Sequence, residues 1–249
     1  MSAGSPAGYV RVAAGGQALV VKSTFETDAR VLASTGTPYD AAAKVPGARA
    51  LQGRGPAYAI PLPVTRVPAV VRRNRHGGLF ARLTGDRFLF RSRAALELRT
   101  SLRLMDVGVP TPVILMYSEA RVAGLWIRAD VVTHEIGNAR DLASFLTADE
   151  PAASRREAWE VSHSLLRLLA AAGARHHDLN LKNILLASTP SGLSPYILDV
   201  DRVTFSGSEK RTRRANARRL AQSARKWLKH RGATVLSSEL NALEILQQG

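Results

Sequence analysis

Apolar and polar residues trade places at short range along the first half of the chain. GYVRVA and QALVVK, close to the N-terminus, have the two-residue period of strands and can pair with each other. Between about 48 and 73, ARALQGRG, PAYAIPLP and VPAVVRRN are short β-like runs separated by Gly and Pro. They predict an antiparallel meander with Pro61, Pro63 and Pro68 at strand ends or edges. RSRAALELRTSLRLMDVG then reads as a helix, with Gly108 just past its end and Pro110 stopping it. VILMYSEA and GLWIRADVVTHEI return to the strand pattern. After Gly137 the character changes. NARDLASFL predicts a short helix capped by Asn138. SRREAWEVSHSLLRLLAAAG predicts a long one closed by Gly173, with Trp159, Leu165, Leu166 and Leu169 near helical spacing. NILLA and YILDV are β-like, and from about 208 the chain is helical and strongly basic.

Composition narrows the possibilities. The 249 residues suffice for one large domain or two lobes, and 45% hydrophobic content is that of a globular chain. The absence of cysteine excludes disulfides, iron–sulfur clusters and Cys-based zinc sites. His134 and His163 read as packed or solvated side chains rather than ligands. A net charge of +15 predicts a polyanionic partner: nucleic acid, an anionic membrane surface or a phosphorylated substrate. The opening MSAGSPAGYVRVAAGG has no apolar core of signal-peptide length, and no apolar run approaches the ~18 residues of a membrane span. A soluble or peripherally held protein is expected. Residues 1–44, rich in Ala, Gly, Ser and Thr, read as a partly ordered N-terminal extension.

The candidate chemistry lies in ARHHDLNLKNILLASTPSGLSPYILDVDR, residues 174–202. Phosphoryl transfer asks a protein mainly to position reactants and neutralise charge. A hydroxyl nucleophile needs a carboxylate to orient it, and a triphosphate needs Mg²⁺ held by hard oxygen ligands. Asp178 in a loop can be the base. Asn183, where the chain re-enters a strand, can point back toward a metal, and Asp199 after the next strand can complete the set. Singly, each of these residues reads equally as a turn or cap residue; their order and strand context carry the reading.

HHDLNLKNILL followed by ILDVDR resembles the catalytic and metal-binding loops of the protein-kinase-like fold. It is similar in particular to the lipopolysaccharide core kinases, and among them to the 3-deoxy-D-manno-octulosonic acid (Kdo) kinases. There the second motif reads Asp-Phe-Asp-Arg; here Val200 replaces the aromatic in Asp199-Val200-Asp201-Arg202. GRG at Gly53-Arg54-Gly55, VVRRNRHGGLFARLTGDRFLF, DVGVPTP and IRADVVTHEIGNARDL also match in order, so the resemblance covers roughly residues 50–230.

The resemblance implies an α+β, protein-kinase-like two-lobed fold. The N-lobe, 45–135, would be a small antiparallel sheet plus one helix, and the C-lobe, 136–249, mainly helical, with ATP between them. By resemblance Asp178 is the base, and Asn183 and Asp199 bind Mg²⁺. Gly53, Arg54 and Gly55 form the nucleotide loop, and Glu135 to Gly137 the hinge that meets adenine through backbone groups. Arg72 stands where the kinase fold usually has a phosphate-binding Lys, with Glu97 as its carboxylate partner. Arg keeps the charge and adds a fork suited to phosphate. Strand alternation lets only one of Arg72 and Arg73 face that way. His176 would brace the loop, and Asp201 and Arg202 either support the site or pair with each other. Read alone, GRG is a tight turn, Glu97 a solvated helix residue and the two arginines surface charge.

The segment EKRTRRANARRLAQSARKWLKHR, 209–231, holds ten Lys or Arg and one Glu. It reads as a solvated helix face or as a contact for an anionic surface, with each charge near such a surface worth ~1 kcal/mol. Trp227 and Leu228 read as core before interface. With the kinase motifs, the favoured partners are a Kdo-bearing lipid A precursor and the anionic inner-membrane surface, and no nucleic acid. That implies a peripheral protein at the cytoplasmic face. The expected activity is ATP-dependent phosphorylation of a Kdo hydroxyl, position 4 by resemblance. The rivals are a heptose or other small-molecule kinase of the same fold, and a non-catalytic nucleic-acid or ATP-binding module.

Overall fold

Gly15 and Gly16 both take positive φ, 56° and 71°, the requirement of a tight two-residue hairpin. They join β1 (Tyr9–Ala14) to β2 (Gln17–Lys22), with Ala14 opposite Gln17. A side chain at Gly15 would meet the Ala33 carbonyl, so the position admits only glycine. The structure, a computed structural model, describes residues 5–51, 57–74, 87–89, 93–123, 126–147 and 149–231. The chain divides into two units, Met1–Arg99 with Val113–Glu135 and Thr100–Pro112 with Ile136–Gly249.

Unit 1 is built on an antiparallel sheet. After the first hairpin come α1 (Glu26–Ser34), α2 (Pro38–Ala42), β3 (Arg49–Leu51), β4 (Ala57–Pro61), β5 (Pro68–Arg73) and β6 (Arg87–Leu89). Helix α3 (Ala94–Asp106) starts in this unit, and β7 (Ile114–Ala123) and β8 (Trp126–His134) complete it. The strand order is β1-β2-β7-β8-β5-β4-β3, with β6 also on β8. β2 pairs with β7, so the residues read as an N-terminal extension form one side of this sheet. α1 and α2 pack their Ala29, Leu32, Ala33, Ala41 and Ala42 against Ala69 and Val71 of β5 in one apolar cluster. Unit 1 therefore carries α1 and α2 beside α3, where the sequence reading placed a single helix.

Unit 2 has β9 (Ala139–Asp141), α4 (Leu142–Phe145), α5 (Ala152–Ala171), β10 (Ala174–His176), β11 (Ile184–Thr189), β12 (Gly192–Ile197), β13 (Val203–Phe205) and α6 (Glu209–Arg231). It holds two small antiparallel sheets besides its helices, β12-β11-β9 and the ribbon β10-β13. The residue capping α4 is Asp141, whose Oδ1 accepts from the Ser144 N–H at 2.9 Å; Asn138 instead takes the left-handed turn before β9, at φ 50°. The sequence expectation of a helix beginning at Asn138 is thus corrected, because β9 pairs with β11 before the helix starts. Trp159, Leu165, Leu166 and Leu169 of α5 are all buried in the core of this unit, as their spacing predicts. Gly173, at φ 63°, ends the turn after α5; its carbonyl accepts from the Ser206 N–H at 2.8 Å, and this aligns β10 with β13. No helix among the described residues is long and apolar enough to cross a membrane.

Candidate active site

Asp178, Asn183 and Asp199 are tied together by a short chain of bonds. Asn183 donates its Nδ2 to the carbonyl of Asp178 at 2.9 Å. A carbonyl can only accept, so the amide nitrogen faces the loop and the amide oxygen faces away. The Asn183 carbonyl in turn accepts the Leu198 N–H at 2.9 Å, next to Asp199. Asn180 shapes the intervening turn: its Nδ2 donates to the Asp178 carbonyl at 2.8 Å and its Oδ1 accepts the Lys182 N–H at 3.0 Å. Asp199 sits at φ 54°, ψ 46°, a left-handed conformation that costs a non-glycine residue about 1–2 kcal/mol. Such strain persists only where the surroundings hold it.

His176 holds the two halves of the loop in register. Its Nε2 lies 2.9 Å from the Leu198 carbonyl, and its Nδ1 accepts the Asp178 N–H at 3.2 Å. Both nitrogens are used by the neutral ring with its proton on Nε2, and a doubly protonated ring would lose the second bond. Burial keeps the imidazole below its ordinary value of 6.5, against the Leu198 carbonyl and the charges of Asp199, Asp178 and Asp201, which pull the other way. Desolvation wins because the residue is fully buried. Val200 is buried in the unit 2 core. Arg202 lies 3.9 Å from Asp201, and its carbonyl accepts the His177 N–H at 3.0 Å.

Asn216 and Arg219 of α6 reach this loop, and sequence reasoning singled out neither. Asn216, fully buried, accepts the His176 N–H on Oδ1 and donates Nδ2 to the Ala174 carbonyl, both at 2.9 Å. The signal was there: Thr212, Asn216, Ala217, Leu220, Ala221 and Ala224 are the small or apolar stripe of an otherwise basic helix, and all are buried. Arg219 Nη2 lies 3.4 Å from Asp178 Oδ1.

Unit 1 separates the two arginines by strand alternation. Arg73 shares the face of Ala69 and Val71; its Nε donates to Asp130 at 3.0 Å and its Nη2 to Thr37 and Asp40 at 2.7 and 2.8 Å. Its guanidinium also stacks on Tyr39. Burial alone would lower the Arg73 pKa, but the Asp130 and Asp40 carboxylates outweigh it and raise it. Arg72 points to the opposite face, where it donates to Asn74 at 2.8 Å and pairs with the buried Glu97 of α3. The Glu135 N–H is taken by the Pro68 carbonyl, and its carboxylate pairs with Arg49. Gly53, Arg54 and Gly55 lie outside the described residues.

No group of three His, Cys, Asp or Glu side chains among the described residues is placed to hold a metal. Two oxygen donors, Asn183 and Asp199, nevertheless suit Mg²⁺, which takes one or two protein ligands and completes its shell with phosphate and water.

The model of the "Lipopolysaccharide kinase (Kdo/WaaP) family" matches residues 49–238. A 3-deoxy-D-manno-octulosonic acid kinase of Actinobacillus succinogenes is 31% identical over 156 residues, 61% of this chain and 64% of that protein. One of Vibrio parahaemolyticus is 32% identical over 206 residues, 78% of this chain and 82% of the relative. The matched stretch thus spans just under two thirds of the length of the first relative. A solved structure, "WaaP in complex with acyl carrier protein", superposes with a TM-score of 0.52 at 18% identity, covering 92% of this chain and 98% of that one. The fold is α+β and kinase-like.

Proposed function

Because the chain belongs to the lipopolysaccharide kinase (Kdo/WaaP) family, we propose that it transfers the γ-phosphate of ATP to a Kdo hydroxyl, the 4-OH, on a lipid A precursor. Asp178 orients that hydroxyl and accepts its proton as the oxygen bonds to phosphorus and ADP leaves. Asn183 and Asp199 hold Mg²⁺, which when bound neutralises charge on the phosphates. Arg72, set by Glu97, contacts phosphate, and Gly53, Arg54 and Gly55 contribute to nucleotide binding. The hinge around Glu135 meets adenine through backbone groups other than the Glu135 N–H, which β5 already occupies. His176 is a positioning residue, and Arg202 acts in part through its backbone bond to His177. Unit 1 corresponds to the N-lobe and unit 2 to the C-lobe.

The observation that carries this reading is that one buried neutral imidazole joins the Asp178 N–H to the Leu198 carbonyl next to Asp199, while Asn183 bonds the Asp178 carbonyl directly. These bonds hold the backbone at Asp178 and Leu198 and the Asn183 amide without any substrate, which supports a role in positioning catalysis. The outward side chains of α6, including Lys210, Arg211, Arg218, Arg225, Lys226 and Lys229, are exposed and supply the contact to an anionic membrane surface. Trp227 packs against the core and Leu228 is exposed at the helix end.

The test is transfer from γ-labelled ATP with Mg²⁺ to a Kdo-bearing lipid A precursor. Label in the lipid with wild type, and a loss of about 10²–10⁴-fold in kcat for Asp178→Asn with ATP binding retained, supports the assignment. ATP binding without transfer to this lipid moves the acceptor to another sugar. No ATP binding removes the kinase reading.

A further inference from the structure

We propose that Arg219, with Arg175 and Arg202 beside it, docks an anionic group of the acceptor, the carboxylate of an acidic sugar, next to the hydroxyl that Asp178 orients. This rests on the kinase reading above and assigns the acceptor's charge to particular side chains, all within unit 2.

The contact between Arg219 and Asp178 is loose. At 3.4 Å it is longer than the 2.7–2.9 Å or so of a charge-assisted bond, and the two side chains are 45% and 36% exposed. Such a pair exchanges partners at little cost. An arginine held on a catalytic base also opposes the base's task, since it competes for the oxygen that must receive the hydroxyl. An acceptor bearing its own carboxylate resolves the conflict. That carboxylate takes the guanidinium, and Asp178 is left to the hydroxyl.

Two more arginines lie close to this point along the chain and the ribbon. In the ribbon β10-β13, Ala174 and His176 are buried while Arg175 between them is exposed opposite Thr204. His177 continues this outer side: its N–H donates to the Arg202 carbonyl at 3.0 Å and its Nε2 lies 2.7 Å from Thr204 Oγ1. Partial burial lowers the His177 pKa, and the charges of Arg175, Arg219 and Arg202 lower it further. Positive charge thus lies on both sides of His177, from Arg175 two residues before it on the outer side of β10 and from Arg219 on Asp178 just after it, with Arg202 joined to it through a backbone bond. The fork of an arginine fits a carboxylate at two points, a recognition that an uncharged ester cannot satisfy.

The experiment uses the full chain with Mg²⁺ and ATP and two acceptors: a Kdo-bearing lipid A precursor, and the same compound with the Kdo carboxylate as its methyl ester. Wild type is expected to favour the acid over the ester in KM, and Arg219→Gln to shrink that ratio by about tenfold, with Arg219→Lys between them. An unchanged ratio in Arg219→Gln overturns the proposal. So does a rise confined to the KM for ATP, which would give the guanidinium to the nucleotide. A second arm reads the same preference without turnover, by saturation-transfer NMR of Kdo monosaccharide and its methyl ester. Preference for the acid, weakened by Arg219→Gln, with no phosphate transfer to any acceptor, would keep this site and remove the kinase reading. Acid and ester bound alike by wild type would remove the site even if transfer occurs.

Discussion

Asn216→Ala is the substitution with the clearest structural cost. Asn216 is 0% exposed and makes two hydrogen bonds at 2.9 Å, to the His176 N–H and the Ala174 carbonyl. Truncation removes the amide and leaves a backbone donor and acceptor buried without partners. Each such group costs about 1–3 kcal/mol, while alanine returns about 0.5 kcal/mol of helix propensity, so the net loss is roughly 2–5 kcal/mol. Asn216→Asp gives no rescue at neutral pH, because a carboxylate can take the His176 N–H but would set its second oxygen against the Ala174 carbonyl. Denaturant unfolding gives the global loss, and hydrogen exchange at the His176 amide gives the local one. An Asn216→Ala protein within 0.5 kcal/mol or so of wild type, with the His176 amide equally protected, would refute the claim that this side chain anchors the loop.

The other predictions concern charge, pH and backbone. Arg72→Ala removes the ion pair with the buried Glu97 and should cost roughly 2–4 kcal/mol, toward the low end of the buried-pair range because Arg72 is 27% exposed. It should also raise the KM for ATP; Arg73→Ala, which breaks the bonds to Asp130, Asp40 and Thr37, should lower stability without that rise. His163 is held below 6.5 by burial and then by the Arg167 charge, and His176 by burial, so the unfolded chain binds more protons just below that pH. Stability should be full above about pH 6.5 and fall as pH drops through it, by up to about 1.4 kcal/mol per pH unit per histidine. Unfolding midpoints across that range check the slope, and His163→Phe should flatten it. Gly173→Ala places a Cβ 2.0 Å from the Ser206 carbonyl oxygen at φ 63°, so it should cost more than the 1–2 kcal/mol or so of the left-handed conformation alone, read by thermal unfolding.

The loop was legible because its chemistry fixes both residue type and spacing: Asp178 and Asn183 lie five apart so that one side chain can bond the other's carbonyl. Alternation along β5 shows that Arg72 and Arg73 diverge, but not which face each takes. That depends on α2, which covers Ala69 and Val71 and comes from residues whose Ala, Gly, Ser and Thr content resembles a loose extension. A local signal for α2 existed in Thr37-Pro38 with Asp40: Thr37 Oγ1 caps the Asp40 N–H, and Pro38 opens the helix. Asn138 misled for the opposite reason. It has the right chemistry for a cap, but pairing between β9 and β11 claims the next three residues and moves the cap to Asp141. Tertiary pairing overrode a local preference.

The basic helix shows how a dominant signal can hide a structural one. Its ten cations suggest a surface element, yet three polar side chains on its inner side each hold a different part of the loop. Thr212 Oγ1 lies 2.8 Å from Ser206 Oγ after β13, Asn216 clasps β10, and Ser223 Oγ accepts the N–H of Leu181, where the turn bearing Asn183 begins, at 3.2 Å. From Thr212 to Ser223 the helix rises about 16 Å, so one rigid rod spans the whole loop and sets its parts relative to one another. Arg219 lies three residues past Asn216 on the adjoining face, which is why a residue of the basic run reaches Asp178. The same element that anchors the Asp178 loop thus delivers positive charge to Asp178. For an anionic acceptor, carrying Arg219 on the helix that anchors the loop keeps the docking charge and Asp178 at a constant separation.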